Sequence, residues 1–144
     1  VNAQGTLSQQ EIEARFLELI ENPNLIHAIA VRGRFSHLRA RTPGRQERPY
    51  RPLSEVLADQ AEYDFYDVEG TMVGFWTPSY LSSVHSPGFH FHFVADEGYA
   101  SAEGAQGGHV LAFTVERAEL SIDAQERLEI WFPSGDPEFQ KLQL

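Results

Sequence analysis

The run Gly88-Phe89-His90-Phe91-His92-Phe93 alternates a phenylalanine with an imidazole at every step. On an extended strand successive side chains leave on opposite faces, so Phe89, Phe91 and Phe93 enter a core only if His90 and His92 stand together on the other side. A chain like this has to build a sheet with one apolar face and one face bearing imidazoles. Sixteen residues rich in glycine, alanine, serine and acid separate His92 from the His109 of Gly107-Gly108-His109, which reads as a long hairpin loop returning the chain antiparallel. His109 then arrives beside the pair. Three neutral imidazoles with a position left to water or substrate are the donor set of a catalytic zinc site. The bland explanation of a His-x-His strand is a pair of surface histidines. Gly107 and Gly108 argue against it, because glycine inside a strand marks a place where backbone or ligand approaches closely.

The absence of cysteine removes thiolate sites and disulfides, so an ion here is held by nitrogen and oxygen, as zinc or another divalent metal would accept. Eleven basic against twenty-one acidic residues give a formal charge of -10, which disfavours nucleic acid and anionic membranes as partners. No apolar run approaches the roughly eighteen residues of a membrane span. At 144 residues and 42% hydrophobic content, residues 1–144 are expected to form one domain. An anionic ligand would meet overall repulsion and would depend on the metal and on local arginines, of which Arg39, Arg41, Arg45, Arg48 and Arg51 form a cluster. The start at Val1 fits a removed signal peptide, a trimmed terminus or a piece of a longer protein, and both a cytoplasmic and a secreted location stay open.

Apolar positions Ile12, Phe16, Leu19 and Ile20, with Ser8 as N-cap and Glu11 completing a capping box, predict the main helix over 7–20. Pro23 ends it. Strands are expected over 25–31 and 35–40 with Gly33 as a turn or bulge between them, then over 70–76, 110–115, 120–122 and 128–132. A short helix is expected over 53–60, and the tail 133–144 reads as loop with a short final turn. One main helix and many antiparallel strands give an α+β fold.

Taken in order, Gly70-Thr71-Met72-Val73-Gly74-Phe75-Trp76-Thr77-Pro78, Pro87-Gly88-Phe89-His90-Phe91-His92-Phe93 and Gly107-Gly108-His109-Val110 resemble the C-terminal half of α-acetolactate decarboxylases. Ala28-Ile29-Ala30-Val31-Arg32-Gly33-Arg34-Phe35 and the stretch 41–50, with Gln46, Pro49 and Tyr50, extend the likeness over nearly the whole chain. The resemblance implies a β-α-β unit with a mostly antiparallel, barrel-like sheet. It also implies decarboxylation of a small 2-hydroxy-3-oxo acid, acetolactate, to acetoin, with zinc held by His90, His92 and His109 and with Arg41 pairing with the substrate's anion. The family chain is a longer, duplicated one. A glutamate from its N-terminal half and another near its C-terminus fall outside this sequence, which leaves Glu97 and Glu103 of the loop as candidate substitute acids.

Two further readings stand beside this one. The length is similar to that of a small metal-binding domain of plants and prokaryotes that carries a like His-x-His and assembles as an oligomer; a homo-oligomer, dimer or trimer, would let a neighbour complete the site. His90, His92, Glu97 and Gly104 also satisfy the core spacing of a cupin motif, in which Glu97 would be a ligand.

Overall fold

The structure, a computed structural model, describes residues 1–48 and 50–141 and, of these, all side chains but those of Leu53 and Glu138. Among the described residues five strands, β1 (Asn2–Ser8), β2 (Ile26–Thr42), β3 (Ala61–Thr77), β4 (Gly88–Ala95) and β5 (Gly107–Gln125), form one sheet in the order β1-β5-β2-β3-β4. Every pairing is antiparallel. The main helix α1 (Gln9–Leu19) follows β1, and two short helices, α2 (Leu53–Ala58) and α3 (Pro137–Gln140), lie outside the sheet.

The sheet has two unlike faces. On one, Ile29, Val31, Phe35, Phe65, Met72, Phe91, Phe93, Phe113 and Val115 pack into a single buried cluster. Helix α1 covers this face with Ile12 and Phe16, both fully buried, and the Phe16 ring lies 6.2 Å from Phe89 and 6.5 Å from Phe91, centre to centre. The helix is fixed at its start as its sequence predicts: the Ser8 N–H donates to the Glu11 carboxylate at 2.8 Å, and the Glu11 N–H returns to Ser8 Oγ at 3.4 Å. On the opposite face, cross-strand register aligns Ala28 with Phe75 and His90, and Ala30 with Val73 and His92.

The α+β class holds, and several expectations about its parts change. The strands are fewer and longer. β2 runs unbroken through 17 residues and β5 through 19, so the expected pieces 25–31 and 35–40 are one strand, as are 110–115 and 120–122. Gly33 makes no turn; it sits in mid-strand just before a β-bulge that shifts the β2–β5 register between Arg34 and Phe35, and a β-carbon on it would collide with the Arg117 carbonyl of β5. Backbone crowding, a bulge and a turn leave the same glycine signature in a sequence. Leu7 belongs to β1 rather than to the helix. The segment 128–132 alternates apolar residues but is not a strand, and Trp131 is 88% exposed: alternation supplies a face, and without a partner's backbone it makes no ladder.

The barrel is incomplete as well. β4 touches β5 through three residue pairs, His92 with His109, Phe93 with Gly108 and Val94 with Gly107, which joins the two sides of the sheet at one end only. β1 and β2 flank α1 in sequence, but β5 lies between them in the sheet. Pro49, part of the quoted resemblance, and the last three residues of the tail lie outside the described residues.

Two substitutions test this packing. Phe16→Ala should cost about 3–5 kcal/mol in urea unfolding, because it removes a fully buried ring from the helix–sheet contact. Gly74→Ala should cost about 1–3 kcal/mol, because the new methyl meets the His90 carbonyl across β3 and β4. A midpoint unchanged by either substitution would contradict the packing described.

Candidate metal centre

Strand β4 carries His90 and His92 on one face because its phenylalanines are committed to the other; Phe91 and Phe93 are 3% and 4% exposed. The loop 96–106 then returns the chain, and β5 begins in the register that sets His109 directly opposite His92. The three imidazoles gather with ring centres 4.8 to 5.3 Å apart. His90 Nε2 lies 3.2 Å from His92 Nε2 and 3.2 Å from His109 Nδ1, and one ligand atom from each ring falls within 4.8 Å of the others.

That spacing can be compared with what an ion requires. Zinc–nitrogen bonds of roughly 2.0–2.1 Å at tetrahedral angles set neighbouring nitrogens about 3.3 Å apart. Two of the three edges, at 3.2 Å, are already close to this value. The donor set, three nitrogens and no thiolate, fits zinc or another divalent ion that accepts imidazole.

Electrostatics keep two of the rings, His90 and His109, ready to donate lone pairs. Burial lowers the pKa of His109 to about 4, and the nearby Arg41 cation and the other two imidazoles push the same way. His90 is lowered as well, first by burial and then by His92, His85 and Arg41. A neutral imidazole is the form that binds a metal.

Arg41 stands on β2 beside His109, its cross-strand partner on β5. Its other register partner, Glu62, takes both hydrogen bonds of Arg39 instead, at 3.0 and 2.6 Å. Among the described residues no carboxylate pairs with Arg41, so its fork of donors remains available to an anion. Next to the histidines the outer face hollows into an open cavity of about 610 Å³, lined by Ala28, Ala30, Val73 and Phe75 with His90 and His92 at one side.

The two loop acids do not join this group. Glu97 is exposed in the turn after β4, and Glu103 is exposed with its carboxylate accepting from Ser101 Oγ at 2.9 Å. With Glu97 turned to solvent and outside the cluster, the cupin arrangement loses the ligand that defines it. Sequence reasoning passed over His85. Its ring centre is 5.5 Å from that of His90 and it lines the same cavity, and the available signal was a third histidine within the eight residues 85–92.

The family model described as "Alpha-acetolactate decarboxylase" matches residues 1–144. The chain is 37% identical over 119 residues to the Alpha-acetolactate decarboxylase of Brevibacillus brevis, covering 83% of this chain and 40% of that protein. It is 38% identical over 123 residues to the one of Methanosarcina mazei, covering 84% of this chain and 41% of that one. Its fold superposes on the crystal structure of alpha-acetolactate decarboxylase from Bacillus subtilis strain 168 with a TM-score of 0.85 and 26% identity, over 99% of this chain and 58% of that one. The chain therefore spans about half the length of the relatives it matches.

In the metal-free protein, His109 should titrate near pH 4 by NMR. Its folded pKa lies below the ordinary value of 6.5, so the unfolded chain binds the proton more readily and folding stability falls as pH drops from about 6.5 toward 4. A His109 midpoint at 6.5 would contradict the half-buried, cation-facing position.

Proposed function

Because the chain belongs to the alpha-acetolactate decarboxylase family, we propose that it carries that family's metal-bearing unit and acts on acetolactate, a small 2-hydroxy-3-oxo acid, releasing carbon dioxide and leaving acetoin. The observation that carries the reading is the convergence of three imidazole nitrogens beside an open cavity and an unpaired arginine.

His90, His92 and His109 hold the ion, zinc or another divalent metal. When bound, the ion supplies Lewis acidity toward the adjacent hydroxyl and carbonyl oxygens of the substrate and so stabilises the negative charge left when carbon dioxide departs. The residues of the chain perform the remaining tasks. Arg41 binds the carboxylate and fixes the direction of the bond that breaks, and its guanidinium suits a planar, two-oxygen anion. Ala28, Ala30, Val73 and Phe75 give the substrate's methyl groups an apolar wall and displace water from that side. The small lining residues match a small substrate. A net charge of -10 repels anions in general, so capture of this one depends on the local cation and the ion. Glu97 and Glu103, exposed in the loop, have no role in this scheme.

The test is acetoin release from racemic acetolactate by the zinc-loaded chain, with metal content measured on the same sample. Turnover with one zinc per chain supports the reading; zinc without turnover makes the chain a metal- and ligand-binding unit that lacks the chemistry. His92→Ala should lose stoichiometric zinc, and full zinc content in that variant would remove the trio. Arg41→Ala should keep its zinc and lose roughly 10- to 100-fold in kcat/KM, the worth of a hydrogen-bonded charge at about 1.5–3 kcal/mol. Equal turnover by that variant would take Arg41 out of the mechanism.

A further inference from the structure

His85 precedes β4 and projects beside the trio. Its Nδ1 lies 3.1 Å from the Ser86 carbonyl oxygen and 3.1 Å from Thr77 Oγ1. A carbonyl oxygen only accepts, so Nδ1 carries the ring proton and Nε2 keeps its lone pair. Thr77, 1% exposed at the end of β3, and the Phe75 ring, 5.8 Å away, hold the imidazole in place. Nε2 has no protein partner among the described residues, and the residue lines the cavity that His90 and His92 also line.

We propose that His85 is a substrate-contacting residue, its Nε2 accepting the hydrogen bond of a ligand hydroxyl in the cavity of about 610 Å³; the assignment rests on reading that cavity as the acetolactate site. The ring centre is 5.5 Å from that of His90, yet its nitrogens are not among the ligand atoms that gather within 4.8 Å, so it stands next to the ion's position without sharing it. Among the described residues, the other groups at the trio's side of the cavity offer no free side-chain acceptor. Arg41 only donates, the nitrogens of the trio would be taken up by an ion, and Ala28, Ala30, Val73 and Phe75 offer no polar atom on their side chains.

Ser121 and Asp123 also line the cavity, but from its far side. Register places Asp123 opposite Ala28, Ala28 opposite Phe75 and Phe75 opposite His90, and Ser121 reaches His92 through Ala30 and Val73 in the same way. Three strand spacings of about 4.8 Å separate each from its histidine. Asp123 further accepts from Gln125 Nε2 at 2.8 Å. A hydroxyl held at the ion's edge of the cavity therefore has His85 Nε2 as its acceptor. The contact selects hydroxylated ligands: a diketone of the same carbon skeleton leaves Nε2 unpaired, whereas a hydroxyketone satisfies it.

The experiment compares two unreactive probes, acetoin and 2,3-butanedione, by calorimetry on the zinc-loaded chain and its variants. His85→Phe keeps a ring between this cavity and a neighbouring one of about 440 Å³, whose lining also includes Phe75 and His85, so the wall survives while the acceptor is lost. That variant should bind acetoin roughly tenfold more weakly, the worth of one neutral hydrogen bond, and bind the diketone as the wild type does. His85→Gln, whose side-chain oxygen can also accept, should recover part of the loss. Equal weakening for both probes would mean a structural role only, and no weakening for either would remove the contact; both overturn the proposal while leaving the trio in place. Nitrogen-15 NMR of the metal-free wild type supplies an independent readout, with Nδ1 protonated and Nε2 bare as the expected tautomer. The reverse tautomer overturns the His85 assignment whatever the metal does. A wild type that takes up no zinc overturns the site reading and the His85 contact with it.

Discussion

The structure depends on the register in which β4 lies between the core and the outer face. Phe89, Phe91 and Phe93 pack inward, and every inward ring forces a neighbour outward, so a slip of one residue would drive His90 and His92 into the core and the phenylalanines into solvent. Moving two aromatic rings out of a dry interior costs several kcal/mol at about 1.5–3 kcal/mol each, and burying unpaired imidazoles adds to that. The geometry of the trio is thus enforced from behind. Phe16 of α1 presses on Phe89 and Phe91, and through them the helix holds the strand whose far side carries two of the three nitrogens.

The third nitrogen arrives by a different constraint. β4 and β5 share only three residue pairs, and one of these is His92 with His109. Gly107 and Gly108 are the other two partners on β5, and a side chain at either would strike backbone, Phe93 in the first case and Arg41 in the second. The glycines therefore let the sheet fold back on itself at this end, and the fold-back delivers His109. Without it, β4 alone would supply two ligands instead of three.

How much of this the sequence carried depends on whether a signal was local. The capping box of Ser8 and Glu11, the outward pair His90 and His92, and the antiparallel return to His109 are short-range patterns, and each was readable because period and spacing determine it. The lengths of β2 and β5 were not. Their continuity through Gly33 is set by the Arg117 carbonyl of a strand more than eighty residues away, and no window along the chain contains both. The segment 128–132 failed in the opposite sense, with strand-like alternation and no strand to pair with. His85 was hidden because its place depends on the turn that precedes β4, where no periodic rule applies.

The two faces also divide the electrostatic work. Across the outer face most charges are spent on one another: Arg39 on Glu62, Arg34 on Asp67 and Glu116, and Arg117 on Glu69. Such exposed pairs contribute little to stability, about 0–1 kcal/mol each, but they engage three of the arginines that β2 and β5 present. Arg41 is left out of this pairing because Arg39, two residues earlier on the same strand face, already occupies Glu62. Its charge is then felt by His90 and His109, which it helps to hold neutral, and a neutral imidazole is open to a divalent ion where a protonated one would repel it. The same cation that would orient an anionic substrate thus favours the protonation state in which the metal can be bound.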